Sequence, residues 1–180
     1  VIHSETICDA LEQKDYQEVL SEIDWFIVES LKNKEYFVHG DINEDHKRLY
    51  LNFGHTLGHA IEFATILDGE ETLRHGEAVA LGMLAIFRIS VELGYLDESR
   101  ITWLKGILKK FNLPINYAAS NLDMDQDSLL DICMALVLKD KKRNFDGLRL
   151  VILTKDRVPT IHETNDMRLL RLGFKEIICD

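Results

Sequence analysis

Three histidines have a spacing that could build a metal site. His55 and His59 are four residues apart, so on a helix both imidazoles project from one face. His75 follows sixteen residues later, and two antiparallel helices joined by a short turn would bring it back beside His55. Imidazole is a common zinc ligand, and catalytic zinc usually has three protein ligands and one open position. The spacing therefore predicts a metal centre.

The glycines around this pair favour the same interpretation. An HxxxH pair alone is also typical of an ordinary helix surface, so a packing role stays open. Gly54 and Gly58 flank His55, and each lowers helix stability by about 1 kcal/mol relative to alanine. That loss is explained if another group must approach the backbone closely. A zinc protease is excluded, because its HExxH motif needs glutamate after the first histidine and position 56 is threonine.

The elements that would position these residues are mainly helical. Apolar residues repeat at helical spacing along most of the chain. Asp15, with Glu18 in a capping box, and Asp125 are predicted N-caps. The segment 148–153 is predicted to be a strand that pairs with 157–162 as a hairpin. The predicted helices span about 16–37, 50–67, 75–94, 101–111 and 125–137.

Composition limits the class of protein. The 180 residues fit one domain, and 46% hydrophobic content is ample for a core. A net charge of −10 argues against a nucleic-acid partner, and no apolar stretch is long enough to cross a membrane. Cys8, Cys133 and Cys179 lie far apart, which indicates reduced thiols in a cytoplasmic protein. The chain does not begin with methionine, and we expect it to be a fragment.

Several ordered motifs resemble those of the 3-dehydroquinate synthases. The segment 51–62 reads LNFGHTLGHAIE and resembles the signature of that family, as does HGEAVALGM at 75–83. The resemblance covers about residues 1–155. It implies a mainly α fold, the multi-helix C-terminal domain of the dehydroquinate synthase-like fold with a small β-hairpin near the C-terminus. Further matches in spacing are Lys34, Asp41, Glu44 and Arg48 upstream, and Asp140-Lys141-Lys142, Gly147 and 150–153 downstream.

The resemblance also implies an activity and a role for each matching residue. Members of the family use NAD and a divalent metal, zinc or cobalt, to convert 3-deoxy-D-arabino-heptulosonate 7-phosphate to 3-dehydroquinate and phosphate in the shikimate pathway. By resemblance, His55 and His75 are metal ligands, whereas His59 is catalytic and contacts substrate. Glu62 and Glu77 are interpreted as helix-terminal or surface acids. The remaining implied site residues are Lys34, Glu44, Arg48, Asn52 and Lys141.

The implied partners lie partly outside this sequence. The resemblance implies a sugar-phosphate substrate, an N-terminal NAD-binding domain that this chain lacks, a homodimer when the protein is complete, and neither a nucleic-acid nor a membrane partner. Indeed, the sequence contains no glycine-rich dinucleotide loop. The third metal ligand of the family, a glutamate, would directly precede Val1, and His3 stands where a lysine is usual. We therefore expect the isolated chain to be inactive and to bind metal weakly.

Alternatives remain open at this point. Another sugar-phosphate cyclase, or a metal-dependent alcohol dehydrogenase of the same architecture, would explain the histidines and the helices equally well. A helical metal-binding module without catalysis is a further alternative, but such a module needs none of Lys34, Glu44, Arg48 and Asn52. Lys34 and the charged run at 139–143 are also explained as solvated surface.

Overall fold

The computed structural model describes residues 4–41, 47–67, 69–141, 147–156 and 158–180. These ranges are mainly α-helical, which confirms the predicted fold class. The α-helices are α1 (Glu5–Gln13), α2 (Tyr16–Ser21), α3 (Ile23–Val38), α4 (His55–Ala64), α5 (His75–Glu92), α6 (Glu98–Lys110), α7 (Gln126–Lys141) and α8 (Met167–Ile177). The strands are β1 (Ile66–Leu67), β2 (Glu70–Glu71), β3 (Tyr117–Ala118), β4 (Leu148–Leu153), β5 (Pro159–Thr164) and β6 (Ile178–Cys179), and Lys47–Asn52 and Ala119–Leu122 are 3₁₀ helices.

Both predicted N-caps are present. The Asp15 carboxylate accepts from the Glu18 N–H at 2.9 Å and the Glu18 carboxylate accepts from the Asp15 N–H at 2.7 Å, which completes the capping box. Asp125 accepts from the Ser128 N–H at 2.7 Å at the start of α7. The predicted helix at 16–37 is divided at Glu22 into α2 and α3. This break lets residues of both helices pack against α1 in a small apolar cluster of Ile7, Val19 and Phe26.

Helix α5 forms the centre of the main core. Its apolar side chains are almost completely buried between α4, α6, α8 and β4. The chain after 153 adds α8, which the sequence analysis did not predict. Leu170, Phe174 and Ile177 recur at helical spacing and are fully buried, and the Asp166 side chain caps the helix by accepting from Arg168 N–H. No helix in the described ranges combines the length and apolar character required for a membrane span.

Helices α4 and α5 cross at a contact made by glycines. A Cβ atom at Gly82 would lie 2.0 Å from the carbonyl oxygen of Gly54 and 2.6 Å from the nitrogen of Gly58. The predicted helix at 50–67 is wrong at its end, because α4 stops at Ala64 and Ile66–Leu67 form β1. It is also wrong in its first turn, because Gly54 has φ +77° and α4 begins only at His55. This left-handed conformation favours glycine. The group expected to approach these glycines is therefore the backbone of α5.

The hairpin near the C-terminus is confirmed, with a small shift in its second strand. Strands β4 and β5 are antiparallel, and Leu148 pairs with Thr164 while Leu153 pairs with Pro159. The second strand spans 159–164 instead of 157–162, and residue 157 lies outside the described residues. Proline fits the first position of a strand because it has no N–H to donate to the ladder.

Candidate metal centre

Three imidazoles meet at one end of the α4–α5 pair, and we call them the histidine cluster: His55, His59 and His75. Their ring centroids are 5.5 Å apart for His55–His59, 5.6 Å for His55–His75 and 5.5 Å for His59–His75. His55 and His59 stand one turn apart on α4, and His75 is the first residue of the antiparallel α5. The glycine contact brings the two helices close enough for the three rings to meet.

In two of these rings, the Nδ1 nitrogen is hydrogen-bonded to an oxygen acceptor. The Nδ1 atom of His55 lies 3.1 Å from the carbonyl oxygen of Phe53, and Nδ1 of His75 lies 3.2 and 3.3 Å from the two carboxylate oxygens of Glu62. A carbonyl or carboxylate oxygen can only accept, so in each hydrogen bond Nδ1 carries the proton. The lone pair of each ring is then on Nε2, which is the form that binds a metal.

Glu62 adds a carboxylate to the cluster. His59, Glu62 and His75 each offer a ligand atom, and these atoms lie within 4.8 Å of one another. The Glu62 side chain is only 14% exposed. Glu62 lies in the last turn of α4, so its interpretation as a helix-terminal acid holds, but its side chain is mostly buried and contacts His75. Its position three residues after His59 could have shown that both share a helix face. Glu77 is also helix-terminal as predicted, because it accepts from the Arg74 N–H at 2.8 Å.

An open cavity of about 330 Å³ lies beside the histidine cluster. Asn52, His55 and His59 line it, which brings three of the residues selected from the sequence to one place. Arg149 on β4 also lines this cavity and was not among the residues selected from the sequence. The Arg149 guanidinium is 3.9 Å from the Glu163 carboxylate, and both side chains are more than half exposed. The strand pattern carried the signal, because an arginine between the buried residues Leu148 and Leu150 must point outward.

The other selected residues are not brought to this cavity by the described structure. Arg48 is half-buried in the 3₁₀ helix, where its N–H donates to the buried Asp41 carboxylate at 2.9 Å. Lys34 is exposed on α3 and does not line the cavity. Glu44 lies outside the described residues. Lys141 ends α7, and its side chain also lies outside what the structure describes.

Two solved structures share this fold. The crystal structure of 2-deoxy-scyllo-inosose synthase, complexed with carbaglucose-6-phosphate, NAD⁺ and Co²⁺, superposes with a TM-score of 0.68 at 23% identity, covering 87% of this chain and 42% of that one. ValA (2-epi-5-epi-valiolone synthase) from Streptomyces hygroscopicus subsp. jinggangensis 5008, with NAD⁺ and Zn²⁺ bound, gives 0.65 at 15% identity, covering 82% and 38%. The architecture is therefore the dehydroquinate synthase-like fold.

Sequence comparison identifies the family within that fold. The family model described as 3-dehydroquinate synthase C-terminal matches residues 1–143. A 3-dehydroquinate synthase of Thermoanaerobacter pseudethanolicus is 32% identical over 145 residues, covering 81% of this chain and 38% of the relative. The chain belongs to the family of 3-dehydroquinate synthase C-terminal domains. It spans 28% to 41% of the length of the curated relatives that it matches.

Proposed function

We propose that this chain is the metal- and substrate-binding domain of a 3-dehydroquinate synthase, which converts 3-deoxy-D-arabino-heptulosonate 7-phosphate to 3-dehydroquinate and phosphate. The observation that carries the proposal is the convergence of three imidazoles beside one open cavity, which His55 and His59 line together with Asn52 and Arg149. The 3-dehydroquinate synthases among its relatives support it. Since the cysteines form no disulfide, we place the protein in the cytoplasm.

The donor set of the histidine cluster fits a divalent metal. His55 and His75 both have Nδ1 held by an oxygen acceptor, so both direct an Nε2 lone pair away from that contact. We propose these two residues as ligands, with a glutamate preceding Val1 as the third. A metal bound there would supply Lewis-acid stabilisation to oxygens of the substrate. Zinc or cobalt is proposed, since two proteins of this fold contain Zn²⁺ or Co²⁺.

His59 is proposed as a proton-transfer residue. Its ring is 5.5 Å from each of the two proposed ligand rings, and its side chain is exposed at the cavity. The His59 side chain can therefore reach a substrate atom beside the metal without any movement of α4. Histidine suits proton transfer because its ordinary pKa lies near neutral pH.

The substrate carries a carboxylate and a phosphate, which require cationic or hydrogen-bonding partners. Because the whole chain has a net charge of −10, these partners must be concentrated near the cavity. Arg149 has a weakly held guanidinium at the cavity, and arginine suits both anions. The further proposed substrate contacts are Lys34, Glu44, Arg48, Asn52 and Lys141.

NAD is proposed to bind in a separate N-terminal domain of the complete protein. The sequence of this chain has no glycine-rich dinucleotide loop, and the two solved structures compared above were each determined with NAD⁺. We therefore expect the 180-residue chain to show no turnover by itself, and activity to return when it is joined to an NAD-binding domain. The complete enzyme is proposed to form a homodimer. Turnover by the purified chain alone would refute the division of labour between the domains.

The experiment that tests the proposal compares His55→Ala with His59→Ala in the chain joined to its NAD-binding domain. His55→Ala should lose bound zinc, and activity should fall in proportion. His59→Ala should retain zinc but slow turnover by about 10²–10⁴-fold, and its pH–rate profile should lose one limb. Bound zinc per chain and kcat are measured for each variant. If both variants lose zinc equally, His59 is a ligand and the proposed roles are wrong.

A second candidate is a synthase that forms a different ring from another sugar phosphate. His3 stands where the family resemblance expects a substrate-contacting lysine, and the fold is shared with a protein solved with carbaglucose-6-phosphate. The two candidates are separated by incubating the joined protein with NAD⁺, zinc and either the heptulosonate phosphate or glucose 6-phosphate. Phosphate release from the second substrate alone would favour this candidate.

A further inference from the structure

The contact between Glu62 and His75 links α4 to α5 at the edge of the histidine cluster. We propose that Glu62 is a positioning residue, which fixes the tautomer and the ring orientation of His75 so that Nε2 is presented to a divalent metal. This inference rests on the metal centre proposed above. It concerns a residue outside the proposed ligands, His55 and His75, and outside the proposed substrate contacts.

The need for such a partner follows from the exposure of His75. Its side chain is 57% exposed, and it stands on the first residue of α5, so packing restrains its ring little. Glu62 is 14% exposed and lies in the last two turns of α4. A well-fixed carboxylate can therefore restrain a poorly packed imidazole. Both carboxylate oxygens lie within 3.3 Å of the same Nδ1 atom, so the contact persists when the carboxylate rotates.

His55 shows the same arrangement with a different acceptor. Its Nδ1 atom is held by the Phe53 carbonyl oxygen, a backbone group at the entrance to α4. Both proposed ligands thus present Nε2 to a metal. Nδ1 is held by the main chain in His55 and by Glu62 in His75. An ionised acceptor also increases the basicity of the ring that it holds, and loss of such a partner typically lowers metal affinity by about 10–100-fold.

Direct ligation by Glu62 is the competing role, since His59, Glu62 and His75 have ligand atoms within 4.8 Å. The geometry favours positioning, because the Glu62 carboxylate contacts the nitrogen that carries the proton and leaves the other nitrogen to the cluster. The two roles differ in one respect that can be measured without metal. A positioning residue controls the tautomer of His75 in the metal-free protein, whereas a simple ligand does not.

The test uses ¹⁵N NMR of the metal-free 180-residue chain, with selectively labelled histidine, at a pH where imidazole is neutral. In the unaltered chain we expect the His75 proton on Nδ1. In Glu62→Ala we expect it to move to Nε2 in most molecules. Glu70→Ala removes an exposed acid of equal charge from the neighbouring strand and should leave the tautomer unchanged. Circular dichroism establishes that both variants are folded.

Zinc titration of the same variants then measures the consequence, in the chain extended upstream to include the proposed glutamate ligand, because the 180-residue chain is expected to bind metal weakly. We expect affinity to fall by about 10–100-fold in Glu62→Ala and by more in His75→Ala. An unchanged His75 tautomer in Glu62→Ala would overturn the inference. A loss of affinity equal to that of His75→Ala would also overturn it, and would make Glu62 a ligand. If the tautomer shifts but no chain binds zinc, the positioning contact stands and the proposed metal centre fails.

Discussion

Gly82 lies where α5 crosses α4, and replacing it by alanine should separate the two helices that carry the histidine cluster. The added methyl carbon would lie 2.0 Å from the Gly54 carbonyl oxygen and 2.6 Å from the Gly58 nitrogen. Both neighbours are backbone atoms, so neither can rotate away as the end of a side chain could. Relief requires the helix axes to move apart by about 1 Å or more, which opens the packing on both sides of the crossing.

The expected magnitude follows from two opposing effects. Alanine raises helix propensity by about 1 kcal/mol relative to glycine, which favours the variant. Overpacking of a well-packed core typically lowers stability by about 1–3 kcal/mol, and more when the backbone must shift. Because the clash at Gly82 is with two backbone segments, we expect the second effect to exceed the first. The net loss in the free energy of unfolding should be at least about 2 kcal/mol.

The assay is urea denaturation followed by circular dichroism, with Gly106→Ala as the matched control. Gly106 lies inside α6, is exposed, and has no atom within 4 Å of the position of an added methyl carbon. That variant should therefore gain about 0.5–1 kcal/mol from propensity alone. If Gly82→Ala is as stable as the unaltered chain, or gains stability as Gly106→Ala should, the glycine contact does not set the distance between the helices.

Two further predictions concern the core around α5 and α7. Burial alone would raise the pKa of Glu176, but hydrogen bonds from Lys105 and Arg88 outweigh burial and lower that pKa below the ordinary 4.5. The ionised carboxylate therefore stabilises the fold above pH 4.5. This contribution is lost as the pH falls through the lower pKa of the folded state. Glu176→Gln should therefore lower the free energy of unfolding by about 2 kcal/mol at pH 7 and by progressively less as the pH falls below 4.5, and an equal loss at every pH would contradict the ion-pair account. Burial raises the pKa of the Cys133 thiol to about 12, so a thiol reagent at neutral pH should modify Cys179 first and Cys133 only in denaturant. Equal labelling rates in the folded chain would contradict that burial.

The sequence was most informative where local chemistry decides the structure. Asp15 and Asp125 cap helices because an ionised side chain beside unsatisfied N–H groups is stabilising in any tertiary context. The short, β-branched character of 148–153 and the i, i+4 pair of His55 and His59 are likewise local patterns. The family resemblance then supplied the expected roles, which remain proposals.

Long-range features were harder to infer. Gly54 could be recognised as unusual, but only the structure identifies α5 as the group that approaches it, because the contact joins segments nearly thirty residues apart. The strand pattern shows that Arg149 points outward, but Arg149 reaches the cavity only because the hairpin packs against α5 and the 3₁₀ helix Lys47–Asn52, which no local pattern specifies. Helix α8 was different, since its apolar spacing and its Asp166 cap are both visible in the sequence. It was missed because the resemblance ended near residue 155.

The packing of α8 on α5 also has a consequence for biosynthesis. A Cβ atom at Gly173 would lie 3.0 Å from the Ile89 side chain and 3.1 Å from the Ala85 carbonyl oxygen, so glycine lets α8 pack closely over an apolar face of α5. The ribosome completes α5 at Glu92, some 85 residues before it completes α8 at Ile177. At about 5–20 residues per second, that apolar face stays uncovered for roughly 4–17 s on each nascent chain. The α4–α5 pair with its histidines can thus assemble during translation, while the later emergence of α8 determines how long a chaperone has to recognise the uncovered face of α5.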